Sequence, residues 1–259
     1  VLLIIITAVY ILFTIYRLKH EVVVEQHMTD MKLRFFTDIS HELRTPLTLI
    51  SGPVEYVLEH TQLPADAREQ LQVVERNTNR MLRLINQILD FRKIQNKKMK
   101  MQVQRVNVVA FTRKIMENFD SVAEEHHIDF LFETEKPELY LWVDVDKYEK
   151  IIFNLLSNAF KYTPNGKMIK VFIHEDEETV SIGVQDQGIG IAENKKKSIF
   201  VRFENLVDRN LFNPSTGIGL SLVKELVEMH KALITVDSKL GEGSCFKIDF
   251  MKGKEQYDE

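Results

Sequence analysis

The apolar residues of this chain repeat with two different periods, and the change falls near residue 100. Before it they stand three or four apart: Phe36, Ile39, Leu43, Pro46, Ile50, Pro53 and Val57, then Leu71, Val74, Thr78, Met81, Ile85 and Ile88. That spacing lines one face of a helix with a heptad seam. The stretch HTQLPADA (60–67) between the runs is long enough only for a turn, so the two helices form an antiparallel hairpin. A hairpin alone cannot bury both seams, whereas two copies paired as a four-helix bundle can. After the basic stretch RKIQNKKMK (92–100) the period falls to two. Strands are expected at 101–109, 128–134, 139–145, 168–175, 179–186, 234–238 and 245–251, with helices at about 110–126, 146–162 and 218–231. Strands and helices mixed without regular alternation imply an α+β arrangement. The expected fold class is therefore an α-helical hairpin, dimerised into a four-helix bundle, followed by an α/β-sandwich.

Charge and cysteine content exclude some functions. The chain has 259 residues and a net charge of -4, so bulk nucleic-acid binding has no electrostatic support. Its single cysteine, Cys245, rules out an intramolecular disulfide. The first sixteen residues, VLLIIITAVYILFTIY, carry no charge, and Arg17, Lys19 and His20 come directly after them. A bilayer needs roughly 20 apolar residues, so the run reads as the last part of a transmembrane helix. Basic residues just after it put the rest of the chain in the cytoplasm.

Four stretches carry chemistry. In FFTDISHELRTPLT (35–48), His41 lies off the seam, with Glu42 beside it and Thr45 one turn on. An exposed neutral imidazole can act as a nucleophile, and a carboxylate on its other N–H fixes the tautomer and stabilises the charge that develops. Pro46 removes a backbone donor and crowds the carbonyl of Glu42, so a bend is expected there. In IIFNLLSNAFKYTPNG (151–166), Asn154, Asn158 and Lys161 fall on one helix face. Carboxamides bind Mg²⁺ or phosphate oxygens, and the lysine adds a point charge. DQGIGI (186–191) comes after a strand. Gly188 and Gly190 let its backbone approach a ligand closely, and Asp186 suits an exocyclic amine such as that of adenine. STGIGLSLVKELVEMH (215–230) opens a helix with Gly217 and Gly219, whose backbone N–H groups suit an anion. The pattern-poor stretch 192–216 between them reads as a lid or as a disordered loop, and the glycine pivots beside it favour the lid.

ISHELRTPL resembles the phosphoacceptor box of bacterial sensor histidine kinases. The Asn box, D-x-G-x-G, I-F-x-R-F and G-x-G-L, in that order, resemble the four boxes of that family's ATP-binding domain, the GHKL-type fold shared with gyrase, Hsp90 and MutL. The resemblance covers roughly 30–253. HELRTPLTLI together with DFRKIQNKKMK looks most like the kinase core of hybrid sensors from Bacteroides-type bacteria.

The resemblance implies that His41 is phosphorylated from ATP, that Glu42 assists, and that Thr45 orients water for dephosphorylation of the partner. It implies that Asn158, with Asn154, holds Mg²⁺, that Lys161 meets the phosphates, and that Tyr162 lies on the adenine face. Asp186 reads the adenine amine. Gly188, Gly190, Gly217, Gly219 and Leu220 shape the pocket and lid, and Arg202 contacts phosphate. The domains become 1–27, membrane helix and connector; 28–100, dimerisation and phosphotransfer; and 101–259, ATP binding. The partners implied are a second copy and a response-regulator receiver domain, fused or separate, at the bacterial inner (cytoplasmic) membrane. Two residues depart from the family pattern: Ser215 stands where glycine is usual, and Asn205 where arginine is common, so Arg202 or Arg209 would supply that charge. An ATPase clamp or a degenerate nucleotide-binding relay are the alternative readings of the second half.

Overall fold

The computed structural model describes residues 10, 12–17, 19–20, 42–95, 99–201 and 218–257. They form two compact units, Val1–Lys98 and Met99–Glu259. Among the described residues no helix is long and apolar enough to cross a membrane. Most of the apolar run 1–16 lies outside them; residues 12–17 are helical and exposed.

The first unit is a helical hairpin of α1 (residues 42–60) and α2 (Ala65–Gln95), joined by a four-residue turn at 61–64. Its antiparallel register is set by side chains. Arg44 Nη2 donates to Asn86 Oδ1 (2.8 Å), and Ser51 Oγ donates to Asn79 Oδ1 (3.3 Å). A step forward along α1 thus matches an equal step back along α2. Leu47, Ile85 and Leu89 form the buried core of the hairpin, with Leu82 against it. Thr78 sits at a buried position because its hydroxyl bonds back to Val74 O (2.8 Å). The helix runs on through Pro46 and Pro53. The expected seam differs in one respect. Leu43, Ile50, Val74 and Met81 of that seam are exposed in the single chain, whereas its Thr78 and Ile85 are buried, and the contact between the two helices adds Leu47, Leu82 and Leu89 from beside it. The apolar face is wider than one seam and serves two directions.

The second unit is a layer of helices on one face of a mixed sheet. A small antiparallel pair, β1 (Val103–Asn107) with β3 (Tyr140–Asp144), stands apart. The main sheet has five strands in the order β2 (Asp129–Thr134), β4 (Met168–Glu175), β5 (Thr179–Asp186), β7 (Gly243–Met251), β6 (Leu233–Lys239). Within it, β2 and β4 pair in parallel and the other neighbours are antiparallel. Helices α3 (Val108–Met116), α4 (Asp120–Glu125), α5 (Val145–Tyr162) and α6 (Gly219–Met229) accompany the sheet.

Alternation decides the sheet's faces. Ile169, Val171, Ile173, Val180, Ile182, Val184, Ile248 and Phe250 are buried together with Ile152 and Leu156 of α5 and Leu222 and Leu226 of α6. The other face carries Lys170, Phe172, Ser181, Lys247 and half-buried Cys245, whose thiol pKa burial pushes up. The expected strand at 101–109 ends early, because Asn107 turns to cap α3 by accepting from Ala110 N (3.3 Å). The expected helix at 110–126 is divided by a 3₁₀ turn at Glu117–Phe119. There Phe119 stacks on Phe160 of α5 (ring centroids 5.2 Å apart) and meets Phe153 at a tilt (5.0 Å).

One buried polar cluster joins several elements. Asp144 caps α5, accepting from Lys147 N (3.2 Å), and ion-pairs with Lys147 Nζ (2.6 Å); both side chains are almost wholly buried. Gln102 N donates to the same carboxylate (2.6 Å). Burial raises the Asp144 pKa, but the Lys147 ammonium and the two backbone N–H bonds outweigh it, so the carboxyl titrates below its ordinary value. Asp144 N donates to Nε2 of His230 (3.2 Å), while Nδ1 of His230 donates to Leu226 O (2.7 Å). This fixes a neutral tautomer, and burial lowers the pKa of that ring. Tyr257, near the C-terminal end of the chain, directs its hydroxyl to Trp142 O (3.0 Å) and His230 O (3.2 Å).

Candidate active site

Three elements meet around the expected nucleotide site of the second unit. Helix α5 supplies the Asn box. Its amphipathic spacing buries Ile151, Ile152, Leu155 and Leu156 and leaves Asn158, Lys161 and Tyr162 half-exposed along the opposite side. Asn154 is buried. Its Nδ2 donates to Lys150 O (2.7 Å). Its Oδ1 is on the side of α6, where a Cβ on Gly219 would stand 3.2 Å from it. The glycine thus lets the start of α6 come up against the Asn box. Lys161 Nζ lies 5.3 Å from the centre of the Tyr162 ring.

The second element is the loop DQGIGI. Asp186 ends β5 and is buried; Gly188 N donates to its Oδ1 (2.8 Å), and the Ser244 amide on the paired strand also favours the ionised carboxylate. Burial is the larger effect and raises its pKa, against those two amides. Gly188 lies on the end of α5: Ile189 N donates to Tyr162 O (3.3 Å), and a Cβ at 188 would meet that oxygen at 2.7 Å. Gly190 takes φ +67°, and a Cβ there would meet Lys239 O at 2.0 Å.

The third element is the turn between β6 and β7. Gly241 N donates to Ile189 O (2.7 Å), and Ser238 Oγ accepts from Ile191 N (2.8 Å). Gly243, at φ +112°, lies against Asp186 O. Sequence reasoning misses Ser238, Gly241, Gly243 and Ser244. A third G-x-G, GEGS (241–244), placed before a strand, is the signal that could have found them.

The structure therefore brings Asn154, Asn158, Lys161, Tyr162, Asp186, Gly188, Gly190, Gly219 and Leu220 to one end of the second unit, where α5, the loop after β5 and the start of α6 converge. Arg202 and Gly217 lie outside the described residues, as do Asn205, Arg209 and Ser215. In the expected lid, residues 193–195 and 198–200 form short 3₁₀ turns, with Ile199 buried. In the first unit, His41 lies outside the described residues, while Glu42 and Thr45 are exposed in the first described turn of α1.

Amide-bearing helix, buried aspartate held by an N–H group of its own loop, and glycine loop closed over a hairpin turn together define a nucleotide-domain architecture. Residues 143–254 match the family described as Histidine kinase-, DNA gyrase B-, and HSP90-like ATPase, and residues 31–97 match the His Kinase A (phospho-acceptor) domain. The chain belongs to the sensor histidine kinases. It is 36% identical over 250 residues to Histidine kinase P4 of Formosa agariphila, covering 92% of this chain and 18% of that protein. It is 39% identical over 224 residues to the sensor histidine kinase TmoS of Ectopseudomonas mendocina, covering 85% of this chain and 23% of that one. The chain thus spans about a fifth of the length of these two relatives. In fold it is similar to full-length ShkA, crystallised in complex with AMPPNP: TM-score 0.67, 24% identity, 85% of this chain and 46% of that chain covered.

Proposed function

We propose that the chain is the kinase core of a membrane-anchored, homodimeric sensor that phosphorylates itself on His41 from ATP. The group then passes to an aspartate of a response-regulator receiver domain. The observation that carries this reading is the convergence of Asp186, the Asn box and Gly219 in one unit that comes after a hairpin bearing HELRTP. The domains are 1–27, anchor and connector; 28–100, dimerisation and phosphotransfer; and 101–259, ATP binding.

Asp186 accepts from the adenine amine, and Tyr162 covers the base. Lys161 provides a positive charge for the phosphates. The hard carboxamide oxygens of Asn158 and Asn154 fit Mg²⁺, and Oδ1 of Asn154, on the side of α6 with Nδ2 bonded to Lys150 O, is such a donor. When bound, that ion neutralises phosphate charge. His41 attacks the γ-phosphorus through a ring-nitrogen lone pair. An N–P bond forms as the bond to the β–γ bridging oxygen breaks, and ADP leaves with that electron pair. The imidazole keeps its other N–H proton, and Glu42 stabilises the positive charge that develops. Catalysis is mainly positioning and electrostatics. Thr45 supports the reverse activity by orienting water for hydrolysis of the receiver's phosphoaspartate.

The exposed Leu43, Ile50, Val74 and Met81 on one hairpin support pairing with a second copy, and the apolar run 1–16 supports a helix in the bacterial inner membrane. The test is labelling with γ-labelled ATP and Mg²⁺, then site mapping. His41→Ala is expected to abolish acid-labile labelling while nucleotide binding persists. Hydrolysis of ATP with no phosphohistidine in the unsubstituted chain would overturn the kinase reading in favour of an ATPase clamp.

A further inference from the structure

Ser238 lies near the end of β6, on the helix-facing side of the sheet, and is buried. Its hydroxyl is fully used. It accepts from Ile191 N (2.8 Å), donates to Gly243 O (2.8 Å), and lies 2.9 Å from Ser244 Oγ. With its own proton on Gly243 O, the third contact is donated by Ser244. This one hydroxyl therefore ties the far end of the DQGIGI loop to both sides of the β6–β7 turn. The Asp186 carboxylate accepts from Gly188 N, inside that loop, and Asp186 pairs across the sheet with Ser244, the partner of Ser238 across the turn. The approach is close enough that a Cβ at Gly190 or at Gly243 would stand 2.0 Å from a backbone oxygen.

We propose that Ser238 is a positioning residue for base recognition: its hydroxyl sets the gap between the DQGIGI loop and the β6–β7 turn, and thereby aims the carboxylate of Asp186. The proposal rests on the reading of Asp186 as the residue that meets the adenine amine. Ser238 itself touches no nucleotide. Its loss relaxes the loop and weakens discrimination at the base, and leaves phosphoryl transfer from bound ATP intact.

The test compares binding of ATP and of inosine triphosphate, which carries a carbonyl oxygen in place of the adenine amine, to the whole chain. Losing the hydroxyl's three bonds is expected to weaken ATP binding about tenfold in Ser238→Ala. Inosine triphosphate binding changes less, so the preference for ATP over it falls. The autophosphorylation rate at saturating ATP stays within about twofold, and Ser238→Thr, which keeps the hydroxyl, restores the preference. An unchanged preference in Ser238→Ala would show a merely structural serine, as would a fall in rate with ATP affinity unaltered. A separate measurement covers the case of a variant that does not fold. In the unsubstituted chain without nucleotide, the amide of Ile191 is expected to be protected from hydrogen exchange. Free exchange until ATP is added would overturn the proposal. Asp186→Ala separates the two layers: normal ATP binding there removes the base-recognition reading itself. Lost binding there, with an unchanged preference in Ser238→Ala, removes only this proposal.

Discussion

Lys147→Met offers the sharpest test of what holds the second unit together. The lysine and Asp144 are 2.6 Å apart, with 6% and 4% of their side chains exposed. Methionine keeps the apolar stem and removes the charge. The carboxylate would then be buried with its two backbone donors, Gln102 N and the N–H of residue 147, and no counter-charge. Breaking such a pair costs about 3–5 kcal/mol, and the two remaining donors place this case near the lower end. For a unit of this size each kcal/mol shifts Tm by about 2–4 °C, so a fall of about 6–12 °C is expected. Calorimetry on the whole chain would track the transition that ATP moves upward. Asp144→Asn with Lys147→Met together should recover part of the loss, since the asparagine still caps α5 with no charge left alone.

The pH dependence has a definite sign. Asp144 titrates below its ordinary value of 3.8 in the fold, so the pair's contribution is present above that value and is lost as pH falls through the folded one. Without the lysine the carboxyl takes up a proton sooner on acidification, which relieves the penalty. The gap between wild type and Lys147→Met therefore narrows as pH drops. A variant within about 0.5 kcal/mol of wild type at neutral pH, the range of ordinary surface changes, would refute the reasoning. A gap that widens toward acid would do the same.

Four single features set the other expectations. Lys231 adopts φ +54° just after α6, where glycine is the unstrained choice, so Lys231→Gly should raise stability by up to about 1 kcal/mol in urea titration. Gly190→Ala should lose ATP binding and lower Tm, because its Cβ would collide with Lys239 O. Asp186 has a raised pKa, so the stability it contributes is present below 3.8 and is lost as pH rises through the folded value. Nucleotide-free wild type should thus lose ground to Asp186→Ala with rising pH in thermal melts. Ile50→Lys with Met81→Lys, both exposed in the single chain, should shift the chain toward monomer in sedimentation while leaving the nucleotide unit's melt unchanged.

Strands β4 and β5 occupy the residues that alternation marked, 168–175 and 179–186, because each carries a full period-two run between turn residues. Local capping decided what alternation could not. Asn107 ends β1 by taking on the start of α3, a choice made by one side chain. On the hairpin, a three-four repeat reveals a helix but not which of two adjacent stripes faces its own partner helix. Leu47 rather than Leu43 or Ile50 is the residue that α2 covers. The Asn box was readable because its residues share one helix. The clasp at Ser238 was not, because it joins residues 47 positions apart, and a serine in a strand carries no mark of a distant partner. The neutral His230 was hidden for the same reason, since its bond to Asp144 spans 86 positions.

The Asp144 cluster also has a mechanical meaning. The chain enters the second unit at Gln102, bonded to Asp144, and runs toward its last described residues at Tyr257, bonded to the carbonyl of His230, whose ring in turn bonds Asp144. Incoming and outgoing stretches of polypeptide are thus moored to one post. Load applied at either stretch meets the same set of bonds. The DQGIGI loop is held by a different fastening, the β6–β7 turn. A unit built this way can be loaded at Gln102 or at Tyr257 without the DQGIGI loop being the first part to give.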